Sequence, residues 1–222
     1  EFVNFFKNKE GNTTYIMNGD KDKIDQLSRF LKNHKIDFYS SDNQKLSVYS
    51  YNKNKTVNHS ISTADLIIPN FQPRGKLVDV FLERTTKLSD SMTYDITAWS
   101  LPFVYGLDGY STSKKIELKK YKEKKVENLV DKKSIAYAGI WNHINDAKFL
   151  SNLIENEIKV RYTEKIIKNG SLTLPHGSLI IYKGDQTNRN YEKILLELAD
   201  NYKIQLHSIY SGISESGPDL GS

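Results

Sequence analysis

Two short apolar runs that each lead into a polar turn constrain this chain most: "ADLIIPNFQP", beginning at Ala64, and "GSLIIYKGDQ", beginning at Gly177. Each has the length of a buried strand and is bounded by turn-forming residues. What precedes them is also alike. Thr14 to Met17 reads as a strand, followed by a helix with Ile24, Leu27, Phe30 and Leu31 on one face and Asp20 or Asp22 as its cap. Ile36 to Tyr39 then alternates as a second strand, and a further strand falls near Leu46 to Tyr49. The second half repeats the order. Ile135 to Ile140 is a strand, and Asn145 to Asn156 a helix carrying Ala147, Phe149, Leu150, Leu153 and Ile154. Ile158 to Tyr162 is the next strand.

Ile158 lies 122 positions after Ile36, as Val160 does after Phe38, whereas Leu179 lies 113 after Leu66, so the second half carries a shorter insert. Either one unit is duplicated, or two ordinary α/β segments happen to agree. Each half continues into a helix, about 75–83 and about 190–201, the latter with Tyr191, Ile194, Leu195 and Leu198 as an inward stripe before the strand "KIQLHSI". The chain thus reads as one α/β domain of two similar halves, about 12–110 and 133–210, joined by a charged connector, 111–132. Alternating strands and helices predict a mostly parallel sheet flanked by helices on both faces.

A length of 222 residues with 38% hydrophobic content supplies a substantial core, and no run approaches the roughly 18 apolar residues of a membrane span. Membrane insertion is not expected. Zero cysteines exclude thiol catalysis, thiolate metal sites and disulfides. The formal charge of +5 is matched by one segment: Lys114 to Lys133 has nine lysines against Glu117, Glu123, Glu127 and Asp131. With no arginine-rich stripe elsewhere, this is a solvated connector and no nucleic-acid partner is expected.

Metal chemistry finds little support, since the five histidines are scattered and neither H-E-x-x-H nor H-x-x-E occurs. His143 and Asp146 straddle a helix start, where an acidic side chain caps exposed N–H groups. Phosphate-binding glycine motifs are missing, and no cofactor is implied. In "YDITAWSLPFVYGLDGY", from Tyr94, Ser100 follows an apolar alternation and precedes Pro102. A nucleophile elbow needs small neighbours, but Trp99 and Leu101 flank Ser100, so the segment reads as a strand-to-helix junction with Trp99 and Leu101 in the core. Two polar turns remain as binding candidates, Gln72 with Arg74 after the first apolar run, and Lys183, Asp185 and Gln186 after the second. In parallel α/β sheets, such strand ends carry ligand-contacting loops.

The stretch from Leu66 to Ser111 carries Gln72-Pro73, Asp90-Ser91, Tyr94-Asp95, Thr97-Ala98-Trp99 and Leu101-Pro102; with "PDLGS" at the end, it resembles the region following the peptidase domain in large bacterial zinc carboxypeptidase-like proteins, often from Bacteroidetes. The layout is also similar to a class I glutamine amidotransferase-like or flavodoxin-like fold, without the amidotransferase nucleophilic cysteine. The resemblance implies a fragment of a larger exported protein, periplasmic or secreted, in contact with an upstream peptidase domain. It brings no zinc ligand onto any residue of this chain.

The expected role is a non-enzymatic accessory or structural domain of such a protein. The alternatives are an independent small-ligand or glycan-binding module using the two polar turns, and a hydrolase using Ser100.

Overall fold

In the computed structural model the chain divides into two compact units, residues 1–124 and 125–222, and residues 12–85, 99–123 and 125–220 are described. Asp90-Ser91, Tyr94-Asp95, Thr97-Ala98 and Gly221-Ser222, which entered the reading of the sequence, lie outside the described residues.

The first unit contains β1 (Thr14–Asn18), α1 (Lys21–Asn33), β2 (Tyr39–Ser40), β3 (Gln44–Ser50), β4 (Lys55–Ile61), β5 (Leu66–Pro69), α2 (Gly75–Leu82), α3 (Leu101–Tyr105), β6 (Asp108–Thr112) and β7 (Lys119–Lys120). Helix α1 forms where a cap and a stripe coincide. The Asp20 carboxylate accepts from the backbone N–H of Asp22 at 2.9 Å and of Lys23 at 3.3 Å, while Ile24, Leu27 and Leu31 are buried. It stops at Lys35, whose φ of 56° lets the Ile36 N–H reach back to the Leu31 carbonyl at 3.0 Å.

The strands form one sheet in the order β4-β3-β6-β1-β5-β2-β7, and every pairing is antiparallel. A mostly parallel, amidotransferase-like or flavodoxin-like sheet is therefore not what forms. The reason is an interleaved strand. β1 and β2, joined through α1, run in the same direction, but β5 lies between them; β5 and β6 also run together, with β1 between them. This is the split βαβ arrangement, ferredoxin-like in its connections, which has the same alternation of elements as a parallel fold but no parallel neighbours.

Pleating sorts the side chains. Tyr15, Met17, Leu66 and Ile68 face α1 and α2, where they pack with Leu27, Val78 and Leu82. Ile16 and Ile67 point to the other face, covered by Val48 and Ile61 of the β3–β4 hairpin and by Ile116. Helices thus cover one face and a hairpin the other, where helices were expected on both.

The second unit contains β8 (Ala136–Gly139), α4 (Ile144–Glu155), β9 (Arg161–Tyr162), β10 (Ile167–Asn169), β11 (Leu172–Leu174), β12 (Leu179–Tyr182), α5 (Tyr191–Tyr202) and β13 (Leu206–Ile209). Its four-stranded sheet has the order β13-β8-β12-β9, again antiparallel throughout, and β10–β11 is a separate hairpin. This is the β6-β1-β5-β2 order repeated. The registers agree residue by residue: Tyr15 sits between Ile68 and Ser111, and Tyr137 between Ile181 and Ser208. Tyr39 pairs with Ile67, as Arg161 does with Ile180. At the end of α4, Glu157 has a φ of 58° and the Ile158 N–H reaches the Leu153 carbonyl at 2.9 Å, as at Lys35. Phe149, Leu153, Leu195 and Ala199 fill the helix side, and the β10–β11 hairpin with Leu220 covers Ala138 and Ile180 opposite. Both hairpins are inserted at the same point, between the second and third strands of the split βαβ unit.

Two expected strands shrink. Of Ile36–Tyr39 only Tyr39 is in a strand, and of Ile158–Tyr162 only Arg161 and Tyr162 are, because Ile36 and Ile158 fold back into the helix-side cores. Trp99 does not fill the core either: it is 74% exposed, while Leu101 packs on the helix-side cluster.

Candidate functional site

The two polar turns occupy the same place in their units, each following the central strand β5 or β12. Gln72 is only 7% exposed. Its Oε1 accepts from the Asp37 N–H at 2.7 Å, and its Nε2 donates to the carbonyls of Asp37 at 2.9 Å and Pro69 at 2.7 Å. Gln186 repeats this pattern: Oε1 accepts from the Lys159 N–H at 3.0 Å, and Nε2 donates to the carbonyls of Lys159 at 2.9 Å and Tyr182 at 2.8 Å. A primary amide offers an acceptor and donors that match the N–H and C=O of a single residue, so each glutamine fastens the loop after the first helix to the end of the central strand. Arg74 is exposed and meets α2 through its carbonyl, which accepts from the Val78 N–H at 3.0 Å.

Asp185 takes the Arg161 guanidinium in two bonds, 2.9 Å from Nε and 3.2 Å from Nη2. Lys183 belongs to a different cluster. Its ammonium lies 2.9 Å from Glu192 Oε1 and 2.6 Å from the Asp131 carbonyl, and 5.1 Å from the centre of the Tyr137 ring. The Tyr137 hydroxyl donates to Glu192 Oε1 at 3.0 Å, and Tyr210 donates to Asp131 Oδ2 at 2.6 Å. Burial opposes ionisation of Glu192, but hydrogen bonds from Lys183 and Tyr137 outweigh it and hold its carboxyl below the ordinary value. Burial likewise opposes the charge on Lys183, and the bond to Glu192 reverses the balance and raises its pKa.

The first unit has a counterpart. Tyr15 donates to Asp79 Oδ1 at 2.7 Å, and Asn70, the residue after "LIIP" as Lys183 is after "LIIY", donates to the same oxygen at 2.9 Å. Burial and the bond to Asp79 push the Tyr15 hydroxyl far above its ordinary range. The tyrosines and acids of these clusters were missed in the sequence, although Tyr137 lies 122 positions after Tyr15, the spacing that relates Ile158 to Ile36.

Ser100 is the cap residue of α3 and makes no side-chain capping bond; its Oγ is buried and has no hydrogen-bond partner among the described residues. A hydroxyl closed off from solvent is poorly placed to attack a substrate. Asp146 accepts from the N–H groups of Asn142 and His143 at 2.6 Å each, which closes the start of α4. Among the described residues no group of three or more His, Cys, Asp and Glu side chains is arranged to hold a metal, and no helix is long and apolar enough to cross a membrane.

An open cleft of about 520 Å³ lies in the second unit beside β9. Arg161, Tyr162 and Glu164 form one wall, Ile180 and Tyr182 contribute from the sheet, and Pro218 to Leu220 come from the segment after β13. Tyr162 is 66% exposed.

Comparison of the chain with family models, with curated proteins and with solved structures found no match.

Proposed function

We propose that the chain is a non-enzymatic accessory module of a larger exported protein of the zinc carboxypeptidase-like kind, positioning polypeptide beside an upstream peptidase domain. The observation that carries the non-enzymatic part is the pair Gln72 and Gln186. The side chains best placed to read a ligand after the central strands are instead committed, by the same three bonds, to their own backbone. Asp185 and Lys183 are likewise held in ion pairs. Such turns stiffen a scaffold and leave little polar capacity for substrate. The peptidase context and export rest on the resemblance of the Leu66–Ser111 region.

The test is excision. Removing residues 12–220 from the uninterrupted reading frame is expected to change the stability or peptide turnover of the parent protein, and the isolated chain is expected to bind the remainder. Unchanged stability and turnover, or hydrolysis by the isolated chain, would overturn the reading.

A further inference from the structure

The two units differ at one corresponding edge. In the first, β2 is covered by β7, with Tyr39 opposite Lys120 and Ser40 opposite Lys119. In the second, β9 is the last strand of its sheet, and among the described residues nothing pairs with its outer side. An uncovered strand edge leaves N–H and C=O groups ready for another chain.

The path leading to that edge is also conserved between the units. After β6, Ile116 is buried against Ile16 and Ile67; after β13, Leu220 is buried against Ala138 and Ile180, the residues in equivalent register, and both are 7% exposed. Three residues beyond Ile116, Lys119 joins β2 and pairs with Asp42 just past that strand. Glu164 lies 122 positions after Asp42 and just past β9; it is exposed and has no ion pair among the described residues. The cleft beside β9 thus has an open edge, an exposed aromatic and an acid where the first unit has its lysine contact.

We propose that the outer edge of β9 is a docking site for an extended, lysine-bearing peptide, which adds to the sheet as β7 adds to β2 and sets a lysine against Glu164. One difference makes the contact exchangeable. In the first unit the added segment is latched by Tyr121, whose hydroxyl donates to Asp25 Oδ1 at 2.6 Å, and by the Lys122 carbonyl, which accepts from the Lys21 ammonium at 3.2 Å. Ala147 stands 122 positions after Asp25, so α4 offers no such latch. The proposal rests on strand pairing and not on the accessory role: an edge that binds peptide while excision leaves the parent unaffected would defeat only that role.

The probe is a synthetic peptide with the sequence of residues 117–123, added to the intact, isotopically labelled chain. Saturable amide shifts centred on Arg161 to Glu164 are expected. Glu164→Lys should weaken binding about two- to fivefold, the scale of an exposed ion pair, and Lys119→Glu in the peptide should recover it on that variant. A chain extended after Ser222 by Lys-Lys-Tyr-Lys-Glu, copying residues 119–123, raises the effective concentration and should slow amide exchange in β9. Shifts confined to other strands, or no protection of β9 in the extended chain, would overturn the site. Concentration-dependent pairing of β9 between two copies without peptide would overturn the peptide as its occupant.

Discussion

Gln72 closes its amide on the backbone of Asp37, accepting from the N–H at 2.7 Å and donating to the carbonyl at 2.9 Å, across 35 residues of chain. Gln186 does the same to Lys159 across 27 residues. Gln72→Ala therefore strands a partly buried backbone donor and two carbonyls, and about 2 kcal/mol of stability should be lost. Gln186 is half-buried and water can replace part of its contribution, so Gln186→Ala should cost about 1 kcal/mol. Urea unfolding of the two variants checks the order; equal, negligible losses would mean that the clamps carry no stability.

The pairing of Lys183 with Glu192 makes stability depend on pH at both extremes. The Glu192 carboxyl is held below its ordinary 4.5, so the folded chain binds this proton less readily than the unfolded chain does. Its contribution is present above pH 4.5 and is lost as pH falls through the depressed value. Lys183 is held above its ordinary 10.5, so its contribution is present below pH 10.5 and is lost as pH rises through the raised value. Glu192→Gln should be less stable than the parent at neutral pH, and the gap should close on acidification. A gap independent of pH between 2 and 6 would contradict the assignment.

Lys35 and Glu157 both end a helix in the left-handed region, with φ of 56° and 58°. A Cβ is disfavoured there by about 1 kcal/mol, which glycine avoids. Glu157→Gly, at an exposed loop start, should therefore raise stability by up to ~1 kcal/mol in spite of the looser unfolded chain. Thermal unfolding reads this directly, and a fall in midpoint would show that the Glu157 side chain has a role of its own.

Ser100 starts α3 without a side-chain capping bond, and its hydroxyl is buried. Serine caps that do bond cost about 0.5–2 kcal/mol when replaced by alanine. Ser100→Ala should instead be neutral within about 0.5 kcal/mol or mildly stabilising, since it removes a buried polar group. A loss above 1 kcal/mol would reveal a partner for the hydroxyl.

The helices α1, α4 and α5 were legible because an apolar stripe, joined in α1 and α4 by an acidic residue at the start, is a local property that lies within about a dozen residues. The strands β5 and β12 were legible as apolar runs. β4, β6 and the β10–β11 hairpin were not, since "KTVNHSI" and "DGYST" are largely polar and their pairing is decided by distant partners. The polar turns were legible as turns, with ligand binding and ordinary turn bonding both open, because an exposed binding glutamine and a buried clamping glutamine look the same until Asp37 or Lys159 is brought beside it.

The amino-acid order by itself determined the helices α1, α4 and α5, the apolar strands β5 and β12, the faces that Leu27, Phe149 and Leu195 bury, and the spacing of 122 that relates the two halves. Only the tertiary structure decided the direction of the sheet. Whether β1 and β2 become neighbours or admit β5 between them depends on non-local hydrogen bonds, and the same apolar alternation satisfies both arrangements. The interleaved one pairs Ile67 with both Ile16 and Tyr39, turning a chain that reads as parallel into two antiparallel sheets built to one pattern.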